Sequence, residues 1–316
     1  MKKKILSLIL VLSLLSGLFM FSAPAYAADG ERAFCIHENA SWKLAFPATP
    51  VTDAHYRMTC PDCGFTKTAV KYGSSFIYRF IDLLSGLVFP PVRGGLSDSF
   101  TVTAHTGPFE IPMNSKFSLD YQLISGADVV EFDLAMNSDG VAVLAHGDPD
   151  EAKMTLEEAF EKLSSYYGIQ ANVDVKNINA VAQCEVLAAK YGVIDRIFYT
   201  GVFENNYSRV KTESPDVPFY INIDPAPAGA ELEAYYDGFM ARIAGYGAAG
   251  VNLSYEGLSH ELVQSAHEHG LLVSAWTVNS PIDMYKVLSY GVDNITSEFP
   301  HLLRLITNGF VNRLGC

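Results

Sequence analysis

The chain has 316 residues, 49% of them hydrophobic, and a formal net charge of −13 at pH 7. This strong negative charge argues against nucleic acid as a partner and against bulk attraction to anionic membranes or polymers. Phosphate binding would therefore need a local source of positive charge, such as a metal ion. The five cysteines are unevenly scattered, at Cys35, Cys60, Cys63, Cys184 and Cys316, which excludes a dense disulfide framework.

Residues 1–27 have the pattern of a secretory signal peptide. Three lysines precede an apolar stretch, and the small residues Ala25 and Ala27 suit a cleavage site before Ala28. We therefore expect the protein to be secreted or to lie at the extracellular surface. An uncleaved membrane anchor is the alternative, but the specific A-Y-A ending and an apolar run near the lower length of a spanning helix disfavour it.

Residues 28–70 form a small polar segment with the cysteines and histidines of a zinc knuckle. The predicted ligands of a structural Zn²⁺ are Cys35, His37, Cys60 and Cys63, with His55 as an alternative. A tetrahedral zinc would stabilise a segment that is too small to build its own core. A disulfide among the three cysteines is the first alternative, and free thiols are the second.

Residues 71–99 are predicted to form an apolar helix and a linker. The stretch 74–91 has apolar residues at helical spacing, interrupted by Arg79 and Asp82 and stopped by two prolines. It is too short and too charged to span a bilayer comfortably. We expect it to pack over one end of the main domain, with a helix at a membrane surface as the alternative.

Residues 100–316 alternate short β-like runs with helical patterns. The eight runs are FTVTAH, ADVVEFDL, QANVDVK, RIFYTG, PFYINI, GVNLS, LLVSAWTV and DNIT, and the turn dipeptide Asp139-Gly140 introduces an extra hairpin strand, VAVLAH. Eight repeats of strand then helix predict an α/β fold, a (β/α)8 TIM barrel. A doubly wound open sheet is the alternative.

The polar residues of this region fall at the ends of the predicted strands, where active sites of barrels gather. Glu131 and Asp133 lie two apart on one strand, so both point to one face, and Asp174 adds a third carboxylate. Three carboxylates are enough to hold Mg²⁺ or Ca²⁺. His105 and His146 could then act as proton donor and acceptor beside the cation.

Three further strand-end residues are candidates for substrate binding. Lys176 would add a point charge beside the metal, and Asn222 ends the fifth run. Trp276 would either stack on the substrate or fill the barrel mouth. His260, His267 and His269 lie on a predicted helix, and we expect them to be solvated surface residues.

The order of these motifs resembles the glycerophosphodiester phosphodiesterase family, which implies a phosphatidylinositol-phosphodiesterase-like TIM barrel. The matching stretches are His105-Thr106-Gly107, Pro112-Met113-Asn114-Ser115, Glu131-Phe132-Asp133, His146, Asp174-Val175-Lys176, HEHGLLVSAWTVNS and GVDNITSEFP, and together they span residues 100–308. The resemblance implies Glu131, Asp133 and Asp174 as metal ligands and the two histidines as acid and base. It also implies that a neighbouring hydroxyl of the substrate attacks phosphorus, giving a cyclic phosphate that water then opens.

Three positions depart from the family pattern. Thr106 stands where the family usually has Arg, which removes a fork-shaped phosphate contact. Met113 replaces a Glu that supports the substrate, and Asp174 replaces a Glu that is one methylene longer. An Asp at the third ligand position followed by Lys also resembles the sphingomyelinase D group.

The sequence therefore predicts a secreted, metal-dependent phosphodiesterase acting on glycerophosphodiesters or on related lipid headgroup or wall-polymer linkages. One alternative is a phospholipase D-like enzyme that releases a cyclic phosphate. The other is a barrel that binds phosphate ligands without turnover, which the changes at Thr106 and Met113 would favour.

Overall fold

The computed structural model describes two β-sheets and the helices of the second one. The described residues are 41–46, 54–59, 61, 66–71, 100–107, 111–166, 168–227 and 230–307. The predicted signal peptide at 1–27 and the predicted apolar helix at 74–91 lie outside these residues.

The first sheet is a three-stranded antiparallel meander. Its strands are β1 (Ser41–Phe46), β2 (Ala54–Thr59) and β3 (Thr66–Lys71), in the order β1-β2-β3. These three strands were not predicted, because residues 28–70 are polar and poor in long periodic runs. Backbone pairing explains the difference, because hairpin-connected neighbours satisfy one another's N–H and C=O groups without long apolar runs.

The second sheet is a closed parallel barrel of eight strands. These are β4 (Thr101–Ala104), β5 (Val129–Met136), β7 (Gln170–Val175), β8 (Ile197–Val202), β9 (Phe219–Asn222), β10 (Gly250–Ser254), β11 (Leu272–Trp276) and β12 (Asn294–Ser297). Strand β4 pairs with both β5 and β12, which closes the ring. The predicted TIM barrel is confirmed, and the doubly wound alternative is wrong.

An antiparallel hairpin extends β5 beyond the barrel wall. Strand β6 (Ala142–Leu144) pairs with the end of β5, with Leu144 opposite Leu134. Gly140 has φ +74°, a left-handed conformation that glycine adopts without steric cost. The predicted turn at Asp139-Gly140 is therefore confirmed.

Eight α-helices are present in the described part of the barrel. They are α1 (Lys116–Ile124), α2 (Leu156–Ser164), α3 (Val181–Lys190), α4 (Tyr207–Glu213), α5 (Leu232–Gly245), α6 (His260–Glu268), α7 (Pro281–Ser289) and α8 (Pro300–Ile306). The sequence patterns predicted α2, α3, α5 and α6. None of the described helices has both the length and the apolar character needed to cross a membrane.

Helix α2 illustrates how the sequence specifies a barrel helix. Thr155 and Glu158 form a reciprocal capping box that satisfies backbone donors of the first turn. Leu156, Phe160 and Leu163 then recur at helical spacing and are fully buried against the sheet. Each such side chain contributes about 1.5–3 kcal/mol on burial.

A buried ion pair holds the lower end of the barrel, where the strands begin. Asp128, just before β5, accepts a hydrogen bond from the Val102 backbone at 2.8 Å and pairs with the Arg304 guanidinium. Arg304 also donates to the Gly126 carbonyl at 2.9 Å. These contacts tie α8 to strands β4 and β5, at the seam where the barrel closes.

A second carboxylate acts in the same way two strands further round the barrel. Asp293, just before β12, accepts from the Val273 backbone at 2.9 Å and from the His267 ring at 2.8 Å. His269 likewise bonds to Asp237 at 2.9 Å. His260 and His267 are exposed, as predicted for surface residues, whereas His269 is half-buried. The carboxylate partners of His267 and His269 were not predicted from the sequence.

We predict that Arg304→Ala lowers the free energy of unfolding by about 3–5 kcal/mol, because it leaves the Asp128 carboxylate buried without its partner. Arg242→Ala is the matched control, since Arg242 pairs with Glu204 at the surface and should change stability by about 1 kcal/mol or less. Urea unfolding followed by circular dichroism measures both. Equal losses of unfolding free energy in the two variants would contradict the stabilising role of the Arg304–Asp128 ion pair.

Candidate metal and acid-base site

Three carboxylates converge at the mouth of the barrel, where the strands end. Glu131 and Asp133 lie on β5 and Asp174 on β7, and the register places Asp133 directly beside Asp174. One oxygen from each of the three lies within 4.8 Å of the others. This set of hard oxygen donors fits Mg²⁺ or Ca²⁺.

The electrostatics of Glu131 show how unfavourable this cluster is without a cation. Burial raises the pKa of Glu131 well above its usual range, and the charges of Asp133 and Asp174 raise it further. A hydrogen bond of 2.9 Å from the Thr106 backbone to Glu131 Oε2 acts in the opposite direction. A divalent cation would relieve the repulsion that raises this pKa.

Lys176 partly neutralises the cluster from one side. Its Nζ lies 2.6 Å from Asp174 Oδ2 and 3.1 Å from Asp133 Oδ1. Burial by itself lowers the pKa of Lys176, but the attraction of the two carboxylates outweighs burial and raises the pKa above its ordinary value. Lys176 therefore stays protonated beside the predicted metal ligands.

Asn114 clamps Asp133 with both ends of its amide. Its Nδ2 donates to Asp133 Oδ2 at 2.7 Å, and its Oδ1 accepts from the Asp133 backbone at 3.0 Å. Asn114 has φ +53°, a left-handed conformation that Asn tolerates better than most residues. This geometry orients the Asp133 carboxylate.

The Thr106 side chain faces the interior, where it forms part of a polar network under Glu131. Its Oγ1 accepts from the Asn114 backbone at 2.8 Å and lies 3.2 Å from Ser118 Oγ on α1. One turn after Ser118 on α1, Gln122 Oε1 accepts a hydrogen bond from the Glu131 backbone N–H at 2.6 Å. The residue that departs from the family's usual Arg thus helps to position a metal-ligand candidate.

Strand β8 approaches Asp174 closely and holds it from the other side. Thr200 Oγ1 lies 3.1 Å from Asp174 Oδ1 and 2.7 Å from Asn172 Oδ1. Gly201 has φ +68°, and a β-carbon there would overlap the Asp174 carboxylate and the Val175 backbone. Only glycine allows the strand to lie this near the carboxylate.

His105 follows β4 and is half-buried beside the acidic cluster. Burial lowers the pKa of His105, and the negative charges of Glu298, Asp133 and Asp174 partly offset this effect. Its Nδ1 is buried and has no hydrogen-bond partner within the described residues. The imidazole is therefore biased toward the neutral form and has an unused polar atom.

Glu298 is a charged neighbour of His105 that was not predicted as a site residue. The His105 backbone donates to the Ser297 carbonyl at 2.9 Å, so the residues that follow β4 and β12 lie side by side. The Glu298 backbone is fixed by Asn279 Oδ1 at 2.9 Å. The position of Glu298 directly after the last strand, β12, could have identified it as a residue of the barrel mouth.

His146 stands on the other edge of the site, after the hairpin strand. The Ala145 backbone donates to the Asp133 carbonyl at 3.0 Å, so the chain returns to the level of Asp133 just before His146. The His146 side chain is exposed. One candidate histidine is thus half-buried and the other faces solvent.

The remaining substrate-binding candidates line the opposite part of the mouth. Asn222 Oδ1 accepts from the Gly201 backbone and from Asn252 Nδ2, both at 3.0 Å, so its carbonyl oxygen is already used within the barrel. Trp276 ends β11 with 40% of its surface exposed, and it is followed by a cis peptide bond to Thr277. Trp276 is therefore accessible to a bound molecule.

The predicted zinc ligands Cys35, His37, Cys60 and Cys63 lie outside the described residues. His55 belongs to β2. Cys184 is buried in α3 as a free thiol.

We predict that Glu131→Gln raises the melting temperature of the metal-free protein, because glutamine carries no charge to repel Asp133 and Asp174. The increase should be roughly 2–4 °C for each kcal/mol of repulsion that is removed. The same change should reduce the further increase that Mg²⁺ or Ca²⁺ produces, because one ligand loses its charge. Thermal unfolding with chelator and with each cation measures both effects. Glu151→Gln, at an exposed position, is the control. A lower melting temperature for Glu131→Gln in chelator would refute the repulsion argument.

Comparison with known proteins identifies related sequences and folds. The model of the Glycerophosphoryl diester phosphodiesterase family matches residues 148–302. The glycerophosphodiester phosphodiesterase of Bacillus subtilis is 23% identical over 285 residues, which cover 73% of this chain and 96% of that protein.

Solved structures with the same fold include two from bacteria. A glycerophosphodiester phosphodiesterase from Parabacteroides distasonis has a TM-score of 0.56 and 19% identity, covering 68% of this chain and 100% of that one. A phosphodiesterase of Oleispira antarctica in complex with the product sn-glycerol-3-phosphate has a TM-score of 0.54 and 19% identity, covering 66% and 96%. At these identities the structures establish the fold. Through the family match and the curated relative, the barrel of this chain is similar to the glycerophosphoryl diester phosphodiesterases, a family of hydrolases.

Proposed function

We propose that the protein is an exported, metal-dependent phosphodiesterase that cleaves glycerophosphodiesters or related lipid headgroup or wall-polymer linkages. The observation that carries the proposal is the convergence of Glu131, Asp133 and Asp174 within 4.8 Å at the barrel mouth. In a hydrolase of this family, such a cluster gives the phosphodiester a place beside a hard cation.

The three carboxylates would hold Mg²⁺ or Ca²⁺, and Asn114 and Thr106 would keep two of them in place. When bound, the cation neutralises negative charge that grows on the phosphoryl oxygens. Lys176 keeps a positive charge next to Asp133 and Asp174 whether or not the substrate is present. The site can thus attract a phosphodiester despite the acidity of the whole chain.

We assign His105 as the base and His146 as the acid. A proton acceptor must be neutral, and burial lowers the pKa of His105 in that direction. His105 would take the proton of the substrate hydroxyl that attacks phosphorus, and His146 would protonate the leaving oxygen. His146 is exposed, so it can exchange its proton with solvent after each turnover. Water then attacks the phosphorus of the cyclic phosphate: His146 takes a proton from the water, one ring P–O bond breaks, and His105 returns its proton to the oxygen that leaves, which gives a monoester and restores both histidines.

The substrate class draws support from a structural relative. The Oleispira antarctica phosphodiesterase carries sn-glycerol-3-phosphate as its product. We propose that this chain likewise releases a glycerol phosphate, with Trp276 and Asn222 at the part of the mouth where the alcohol half would lie. Trp276 is exposed enough to stack on that group.

We predict metal-dependent conversion of glycerophosphocholine to a phosphomonoester. Phosphorus NMR of the mature protein with glycerophosphocholine, lysophosphatidylcholine and a glycerol-phosphate polymer, in Mg²⁺, in Ca²⁺ and in chelator, measures it. His105→Ala and His146→Ala should each slow turnover about 10²–10⁴-fold, whereas His260→Ala on exposed α6 should not. Undiminished turnover in chelator or in both histidine variants would refute the mechanism, and a persisting cyclic phosphate would identify the phospholipase D-like alternative.

We also propose export and a structural zinc in the segment 28–70. The lysine-rich, apolar start and the small residues before Ala28 support export, and the spacing of Cys35, His37, Cys60 and Cys63 supports zinc. Protein recovered from culture medium should begin at Ala28 by mass spectrometry and contain one zinc by elemental analysis. A zinc-free protein with a Cys60–Cys63 disulfide would contradict the metal assignment.

A further inference from the structure

The large apolar side chains that the barrel exposes are concentrated at its mouth. We define the apolar rim as Met113, Phe117, Phe203, Trp276 and Ile282, all of which are exposed. Each follows the carboxyl end of a strand or begins the helix after it, so all lie on the face that carries the carboxylates.

The rest of the barrel surface lacks such a concentration in its described part. Leu232 and Val141 also lie on the mouth side, at the start of α5 and in the β5–β6 hairpin. Ile124 and Leu272 lie at the lower end, and Val186 lies within α3. Single exposed apolar residues are ordinary on a protein surface, but a ring of them around one end is not.

The position of the apolar rim indicates what covers it. A protein partner seated on the mouth would close the carboxylate cluster off from its substrate. A lipid surface would instead bring a phosphodiester headgroup to the cluster while the rim side chains enter the interface. Exposed Phe and Trp beside a polar centre are typical of interfacial binding.

The charge of the barrel restricts the kind of lipid. Residues 100–316 contain 28 acidic and 12 basic side chains. An anionic lipid surface would repel so acidic a domain, whereas a zwitterionic surface would not. Binding would therefore depend on apolar burial rather than on charge.

We propose that the apolar rim docks the mouth of the barrel onto zwitterionic phospholipid surfaces, where the site meets its phosphodiester. The substrate part of this inference rests on the proposed function. The docking itself does not, because it requires neither a metal nor turnover.

The test is binding of the mature protein to phosphatidylcholine vesicles in chelator, measured by flotation. The variant Phe117→Ser/Ile282→Ser removes two of the most exposed rim side chains, at 73% and 79% exposure. The matched control, Ile124→Ser/Val186→Ser, removes two side chains of 56% and 67% exposure away from the mouth. We expect the rim variant to bind at least about tenfold more weakly and the control to bind like the unchanged protein.

Hydrolysis of soluble glycerophosphocholine without vesicles separates the two proposals. Both double variants should retain it, since neither pair includes an acid, a base or a metal-ligand candidate. Failure of this hydrolysis in the unchanged protein would refute the proposed function alone. Absence of vesicle binding, equal binding by both variants, or tighter binding to phosphatidylglycerol vesicles than to phosphatidylcholine vesicles would overturn the docking proposal.

Discussion

The repulsion among three carboxylates at the ends of β5 and β7 is the constraint on which the site depends. Two unit charges within 4.8 Å of each other repel by at least roughly 3 kcal/mol at an effective dielectric constant near 20. Burial adds to this cost for Glu131, whose pKa is raised for that reason. A fold that holds these groups together must offset the repulsion by other contacts. A bound cation would remove the repulsion, and this relief would add to the free energy of cation binding.

The surroundings of the cluster supply that offset through neighbours from several elements. Lys176 contributes a positive charge, Asn114 fixes Asp133, and the Thr106 N–H reaches Glu131. Helix α1 supports the last two contacts through Ser118 and Gln122, which are buried although polar. Helix α1 therefore buries a polar pair, Ser118 and Gln122, beneath the carboxylates next to the apolar pair Leu119 and Leu123.

The two ends of the barrel use the same side chain for different purposes. At the lower end, Asp128 and Asp293 each accept a backbone N–H from a neighbouring strand and each meet a basic side chain, so their charges are satisfied within the fold. At the mouth, the carboxylates compete with one another for Lys176. The carboxylates at the lower end therefore stabilise the barrel, whereas the carboxylates at the mouth carry excess negative charge that can bind a cation.

The sequence by itself determined the eight strands, the hairpin at Asp139-Gly140 and the candidate carboxylates, because the strand and helix periods are local and the sheet alternation puts Glu131 and Asp133 on one face. Only the tertiary structure decided ring closure, the inward turn of Thr106, the amide clamp of Asn114 and the place of Glu298 beside His105. Helix α1 was not predicted, because its buried Ser118 and Gln122 interrupt the short apolar pattern of Leu119 and Leu123. These features join residues distant in the chain, and such contacts arise from strand register and packing, which no local pattern encodes.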